Sequence, residues 1–178
     1  DSFTTTNTIE AYSGVGGGTV TLGATHAAAN IAMTTAGATT VNIGAQTVTG
    51  TFALADEADV LKLTATADIS GLNTGGATTA ENLDLETVDT INATMTEAQY
   101  DGFTGITANN DDDTITIKTG EITSIVADTN IGTYVIQDDT GNDGLTVSAV
   151  TGAHVIDASA NSDADDVVTV EITAGTSF

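Results

Sequence analysis

The sequence predicts an all-β chain wound as a parallel β-helix, or β-solenoid, with coils of about 20 residues. An apolar pair at i, i+2 spacing recurs along it: Val20 and Leu22, Val41 and Ile43, Leu61 and Leu63, Leu83 and Leu85, Ile115 and Ile117, Tyr134 and Ile136. Strand side chains alternate between faces, so both members of each pair point the same way. The steps from Leu22 to Ile43, to Leu63 and to Leu85 are 21, 20 and 22 residues, a regularity that suits successive turns of a coiled sheet. Composition agrees: the chain is rich in Thr, Val and Ile, which favour strands over helices. It has 19 Gly and no Pro, so its turns fall to Gly, Asn and Asp. An Ig-like β-sandwich of irregular hairpins is the alternative that the same spacing allows.

Residues 1–18 form a polar, Thr-rich stretch closed by Gly14-Val15-Gly16-Gly17-Gly18. They are expected as an N-terminal arm or cap strand that covers the first coil, pairs with a neighbouring subunit or stays mobile. Residues 19–178 are expected as a single solenoid-like domain. Coils at 19–38, at 39–58 and from 59 to about 80 each open with the inward pair. Each also carries a second apolar patch, Ile31 with Met33, Val48 with Phe52, and Ile69 with Leu72, which implies two strands per turn. The step from Leu85 to Ile117 is 32 residues, so an insertion is expected near 92–108. Within it Thr94-Met95-Thr96-Glu97 fits the S/T-x-x-E capping box, and Met95, Ala98, Phe103 and Ile106 supply an apolar face, which predicts a short helix near 94–104. Coils at 114–133, at 134–153 and from 154 onwards follow. Val167-Val168-Thr169-Val170-Glu171-Ile172 is the cleanest alternating strand, and without a polar cap beyond it that edge is expected to stack on another subunit.

Charge narrows the function. Only Lys62 and Lys118 oppose 25 carboxylates, there is no Arg, and the net charge is −23. Nucleic acid, phosphate ligands and anionic membranes would be repelled. No apolar run is long enough for membrane insertion. Without Cys the chain has neither disulfides nor thiolate metal sites. Beginning at Asp1, it reads as a processed secreted product or an excised segment.

Such a charge repels itself in the folded state, which makes bound multivalent cations an expected part of that state. Three acidic stretches precede alternating strands, and their candidate ligands are Asp111, Asp112 and Asp113, then Asp138, Asp139 and Asp143, then Asp163, Asp165 and Asp166. Calcium takes roughly six to eight oxygens, which clustered Asp and Asn side chains with turn carbonyls supply, and stacked coils would bring successive loops together. Ordinary acidic turns are the competing reading, because tight turns prefer the same residues. An acidic residue also stands two positions before several apolar pairs: Asp59 before Leu61, Glu81 before Leu83, Asp113 before Ile115, Asp143 before Leu145 and Asp166 before Val168.

Gly141-Asn142-Asp143-Gly144-Leu145-Thr146-Val147 resembles the repeats-in-toxin (RTX) nonapeptide G-G-x-G-x-D-x-U-x through its Asp143-x-Leu145 portion, and the D-x-U half recurs at Asp59, Asp113 and Asp166. The stretch Leu83-Asp84-Leu85-Glu86-Thr87-Val88-Asp89-Thr90-Ile91-Asn92 looks like the V-E-T-L/I-N phrases of bacterial surface-layer proteins and large RTX-type adhesins. These resemblances imply a secreted bacterial structural or adhesive protein that uses calcium.

Catalysis draws little support. His26 and His154 are the only imidazoles, and neither sits in a nucleophile or metal motif. Two lysines do not build a uronate-neutralising site. Carboxylate pairs for glycoside hydrolysis are available by count, but four Phe, three Tyr and no Trp leave little of a sugar-binding cleft. The T-x-T pairs Thr19/Thr21, Thr47/Thr49, Thr64/Thr66 and Thr114/Thr116 could align as in ice-binding solenoids, although Asn42, Lys62 and Asp84 interrupt the register. The expected function is therefore non-enzymatic: a secreted protein that assembles with copies of itself into a surface layer, fibre or matrix, assisted by calcium. An adhesin or spacer module, with a cell-surface glycan as partner, is the alternative; ice binding and polysaccharide processing rank below both.

Overall fold

The computed structural model describes residues 3–5, 11–14, 17–22, 30–33, 37–44, 52–53, 59–72, 82–85, 90–108, 112–119, 123–138, 144–149, 154–161 and 167–172. In its first part the chain runs through β1 (Phe3–Thr5), β2 (Ala11–Gly14), β3 (Gly18–Leu22), β4 (Asn30–Met33), β5 (Thr39–Asn42), β6 (Phe52–Ala53), β7 (Val60–Leu63), β8 (Ala67–Asp68), β9 (Asn82–Leu85) and β10 (Asn92–Thr96). One short helix, α1 (Glu97–Gly102), follows. Then come β11 (Gly105–Thr107), β12 (Thr114–Thr119), β13 (Thr123–Val126), β14 (Thr133–Asp138), β15 (Gly144–Ala149), β16 (Val155–Asp157) and β17 (Val167–Ile172).

Among the described residues every ladder is parallel, each joining strands one coil apart. Parallel neighbours need a crossover, and here the rest of the coil provides it. This is the β-solenoid; an Ig-like sandwich would pair its strands antiparallel. The sheets run β1-β3-β5-β7-β9-β11, β2-β4-β6, β8-β10-β12-β14-β16 and β13-β15-β17. Residues 1–18 contribute strands to the array itself, β1 pairing with β3 and β2 with β4.

Register stacks the apolar pairs into one core. Val41, Leu61, Leu83 and Ile106 are successive partners in the first sheet, and Ala93, Ile115 and Tyr134 are partners in the third. All seven are buried. The chain thus closes its core with aliphatic contacts between like positions of neighbouring coils, where dispersion and exclusion of water act together.

The short helical insertion expected near 94–104 is present as α1, and the register shows how the chain accommodates it. The 32-residue step from Leu85 to Ile117 is a change of sheet: Leu83 pairs with Ile106, while Ile115 and Ile117 pair with Ala93 and Met95. The coil period therefore continues through this region, and α1 is what is added. Met95 is an inward strand residue rather than part of the helix face. The capping box also lies two residues later than expected. Thr94 is held in β10 between Asp68 and Thr116, so the helix starts after Thr96, whose Oγ1 accepts the Gln99 N–H at 3.3 Å while Gln99 Oε1 accepts the Thr96 N–H at 2.8 Å. Gln99 Nε2 then donates to the carbonyls of Ile69 at 2.7 Å and Leu72 at 2.8 Å, fixing α1 to the preceding coil.

Buried polar side chains fasten one coil to the next. Just ahead of the apolar pair, Thr39 Oγ1 accepts the Gly17 N–H at 3.0 Å, Asp59 Oδ1 the Thr39 N–H at 2.6 Å, and Asp113 Oδ1 the Ile91 N–H at 2.9 Å. Each bond reaches back 20 or 22 residues. The backbone carbonyls of the two aspartates reach forward, accepting from Asn82 N at 3.0 Å and Thr133 N at 3.2 Å. Asp59 and Asp113 therefore each tie three successive coils together. Other acidic residues turn corners: Asp68, Asp128 and Asp157 accept the N–H two residues on, from Ser70, Asn130 and Ser159. Both lysines are ion-paired, Lys62 with Asp84 at 3.5 Å and Lys118 with Asp68 at 2.8 Å, and Lys118 also donates to Ser70 Oγ.

These contacts set expected outcomes for unfolding. Asp113→Ala or Asp59→Ala leaves a buried amide without its charged acceptor and is expected to cost about 1.5–3 kcal/mol in urea unfolding, while the exposed Asp112→Ala stays within about 0.5 kcal/mol of the parent; equal effects at Asp112 and Asp113 would show that the coil-to-coil bond is unimportant. A second outcome concerns acid. Burial alone raises the Asp68 carboxyl, but hydrogen bonds from Lys118 and Ser70 and the Lys118 charge hold it below its ordinary 3.8. A depressed folded-state value gives stability that is present above 3.8 and is lost as pH falls through the lowered value. Asp68→Asn should flatten that part of the stability profile, and an unchanged acid limb would count against the ion pair.

Candidate functional site

Of the nine candidate metal ligands, Asp112 and Asp113 have described side chains. Asp112 is exposed at the turn before β12; Asp113 is buried and binds the Ile91 amide. Asp138 closes β14 opposite Thr119, and its side chain lies outside the described residues. Asp111, Asp139, Asp143, Asp163, Asp165 and Asp166 also lie outside them. Among the described residues no three His, Cys, Asp or Glu gather closely enough to hold a metal ion. Asp113 sits where the D-x-U half-motif puts a ligand, yet one of its oxygens is committed to a backbone amide of the neighbouring coil.

The architecture creates a different site. The first sheet ends at β11, and the sheet β13-β15-β17 begins at β13. At this seam α1 packs against β10, β12 and β13. A groove of about 450 Å³ opens between the two strand edges. The segment from α1 to β11 contributes Tyr100, Asp101, Phe103 and Ile106 to its lining, and the end of β13 with the turn after it contributes Val126, Ala127 and Asp128. Ile106 and Ala127 are buried in the floor, whereas Val126 is 61% exposed.

Strand edges carry peptide groups that need partners, and side chains supply them here. Tyr100 Oη donates to the Val126 carbonyl at 2.7 Å, and Asn130 Nδ2 donates to the Ile106 carbonyl at 3.0 Å. A carbonyl only accepts and an amide only donates, which sets the direction of the adjoining chain. Asp128 N–H donates to Tyr134 Oη at 2.7 Å, Tyr134 O–H donates to Tyr100 Oη at 2.9 Å, and Tyr100 donates onward to Val126. The two rings meet edge to face at 5.9 Å, a favoured aromatic geometry. Burial pushes the Tyr100 phenol up to about 12, and burial together with the neighbouring Tyr100 pushes Tyr134 up as well. Both remain neutral hydrogen-bonding struts at physiological pH. His154 joins the layer, its ring 6.0 Å from Tyr134 and its Nδ1 2.8 Å from the Ile131 carbonyl, so Nδ1 carries the proton.

The electrostatics of the groove are one-sided. Partial burial raises the Asp101 carboxyl. Burial, and then the charge of Asp101 one turn along α1, raise Glu97. Asp128, just after β13, adds a second carboxylate to the lining. Tyr100, Asp101 and Asp128 were not among the sequence candidates. Asp128-Thr129-Asn130 shares the D-x-S/N form of Asp68-Ile69-Ser70 and Asp157-Ala158-Ser159, a turn signal that could have been read, whereas nothing local links Tyr100 to Tyr134.

The far end of the array is also distinctive. Among the described residues β16 and β17 each have a neighbour on one side, with Val155 58%, Val167 62% and Val170 39% exposed. No described helix is long and apolar enough to cross a membrane. The chain matches no known protein family, no curated protein and no solved structure.

Proposed function

We propose that this chain is a secreted structural protein that joins copies of itself end to end into a surface layer, fibre or matrix, with calcium assisting assembly. The observation that carries this reading is the pair of outer strands β16 and β17, which bear exposed valines and have no partner on one side among the described residues. Extended backbone groups and apolar side chains presented together favour addition of a further strand. The first rung of another copy offers β1 and β2, which are likewise outer strands. Contact between unlike ends does not close on itself, so repetition yields an open filament.

Charge opposes such stacking, since each copy carries −23. A divalent cation bound by carboxylates and amide oxygens of the acidic stretches would offset the repulsion between copies and between coils. Asp111 and Asp112, Asp138, Asp139 and Asp143, and Asp163, Asp165 and Asp166 supply the oxygen chemistry that calcium takes. Asp113 acts as the clamp of its coil.

Negative-stain electron microscopy and sedimentation velocity, each with calcium and with excess EDTA, test the two parts separately. Filaments or long oligomers are expected with calcium, shorter species and a lower melting temperature with EDTA. Val155→Lys with Val167→Lys should raise the concentration needed for assembly at least about tenfold by placing charge on the stacking edge. Assembly indifferent to both lysines would refute end-to-end joining. A chain that polymerises and melts identically in EDTA would refute the role of calcium.

A further inference from the structure

We infer that the groove at the seam between β11 and β13 binds the lysine or arginine side chain of a basic peptide segment with apolar flanks. Its shape and chemistry are those of a receptor for a long cationic side chain. The volume, about 450 Å³, falls within the range of ligand-binding clefts. Phe103, Ile106, Val126 and Ala127 present apolar surface, and Asp101 of α1 and Asp128 just after β13 contribute carboxylates to the lining. Lysine and arginine lay their methylene stems along apolar surface while the charged head seeks an acceptor.

Neither lysine lines this groove, where Asp128 accepts the Asn130 N–H and Asp101 a hydrogen bond from Glu97. The chain contains no arginine, and its two lysines are paired with Asp84 and Asp68. A second copy has the same deficit, so the cation comes from a different chain. An anionic partner would meet Asp101, Asp128 and the overall −23 charge. A bare divalent ion is a poorer fit than an organic cation, because it needs roughly six to eight oxygens and the lining carries two carboxylates, Asp101 and Asp128. A bound cation would also relieve the repulsion that Asp101 exerts on Glu97 one turn away. Val126, 61% exposed on the wall, is positioned to cover an apolar flanking residue of the peptide.

The test uses the whole chain and a blocked five-residue peptide alternating leucine and lysine, titrated by calorimetry in low salt, with a peptide carrying norleucine in place of lysine as control. Binding is expected for the lysine peptide and weakens as salt rises. Asp101→Asn with Asp128→Asn should weaken it roughly tenfold, and Val126→Ser a few-fold. Asp112→Asn, which removes an exposed charge away from the groove, should leave it unchanged. Circular dichroism melting shows that each variant is folded, and Asp128→Asn keeps a side-chain oxygen able to accept the turn hydrogen bond from Asn130. The proposal is overturned by an absence of binding, by equal binding of the norleucine peptide, or by equal weakening at Asp112, which would mark diffuse attraction to an acidic surface.

Discussion

Stacking in this molecule depends on a buried carboxylate that accepts an amide from the coil before it. Parallel ladders satisfy the amides inside strands, but the amide at the corner just ahead of a strand needs an acceptor from elsewhere. Asp59 and Asp113 provide one, at 2.6 and 2.9 Å. Two positions before the apolar pair, each lies on the same strand face as that pair, so the carboxylate points inward with Leu61 and Leu63 or with Ile115 and Ile117. Burying a charge is costly when it is left unpaired. Here the amide engages the side chain while the same residue's carbonyl engages the following coil. The apolar pairs supply attraction without direction; the carboxylates supply the direction, because only one register brings oxygen to amide.

That register also explains why a helix appears where it does. Up to β9 the recurring apolar pairs fall on the first sheet; from β12 onward they fall on β8-β10-β12-β14-β16, and β13-β15-β17 forms another sheet of the coil. A change of this kind leaves two strand edges at one seam. α1 and Asn130 resolve them, Tyr100 and Asn130 capping the exposed carbonyls, with Gln99 fixing the helix to the coil beneath. The helix is thus the covering of a seam, and the groove is the space that the covering leaves open.

Much of this was legible in the sequence because the solenoid repeats one physical problem, and the solution leaves the same residues at the same spacing. The apolar pairs and the parallel coil are legible from periodicity, and the existence of a short helix from a capping pattern followed by apolar residues. The position of the helix is not, because Thr94-x-x-Glu97 and Thr96-x-x-Gln99 both satisfy the capping pattern, and what decides between them is the pairing of Thr94 with residues 26 behind and 22 ahead. The 32-residue step combines the added helix with a change of sheet, and a one-dimensional period cannot reveal that successive apolar pairs belong to different sheets. The acidic residue ahead of the pair was visible, but whether its oxygens meet an ion or an amide depends on what stands a full coil earlier. At Asp59 and Asp113 it is an amide. Tyr100 and Tyr134 had no local signal at all, since their contact exists only once two coils are stacked.

A net charge of −23 is therefore a poor guide to ion binding unless its carboxylates are sorted by what they do. Asp59 and Asp113 hold coils together, Asp128 and Asp157 shape turns, Asp84 faces Lys62, and Asp68 both closes a turn and binds Lys118. Each of these is engaged within the chain, and its charge is partly offset by the donors around it. Asp101 differs in its partner: it accepts a hydrogen bond from Glu97, another acid, whose carboxyl its charge raises. The seam lies in the middle coils and the outer strands lie at the ends of their sheets. A chain joined to its copies through those strands would keep the groove on its flank, so assembly and capture of a basic partner make no competing demand on the same residues.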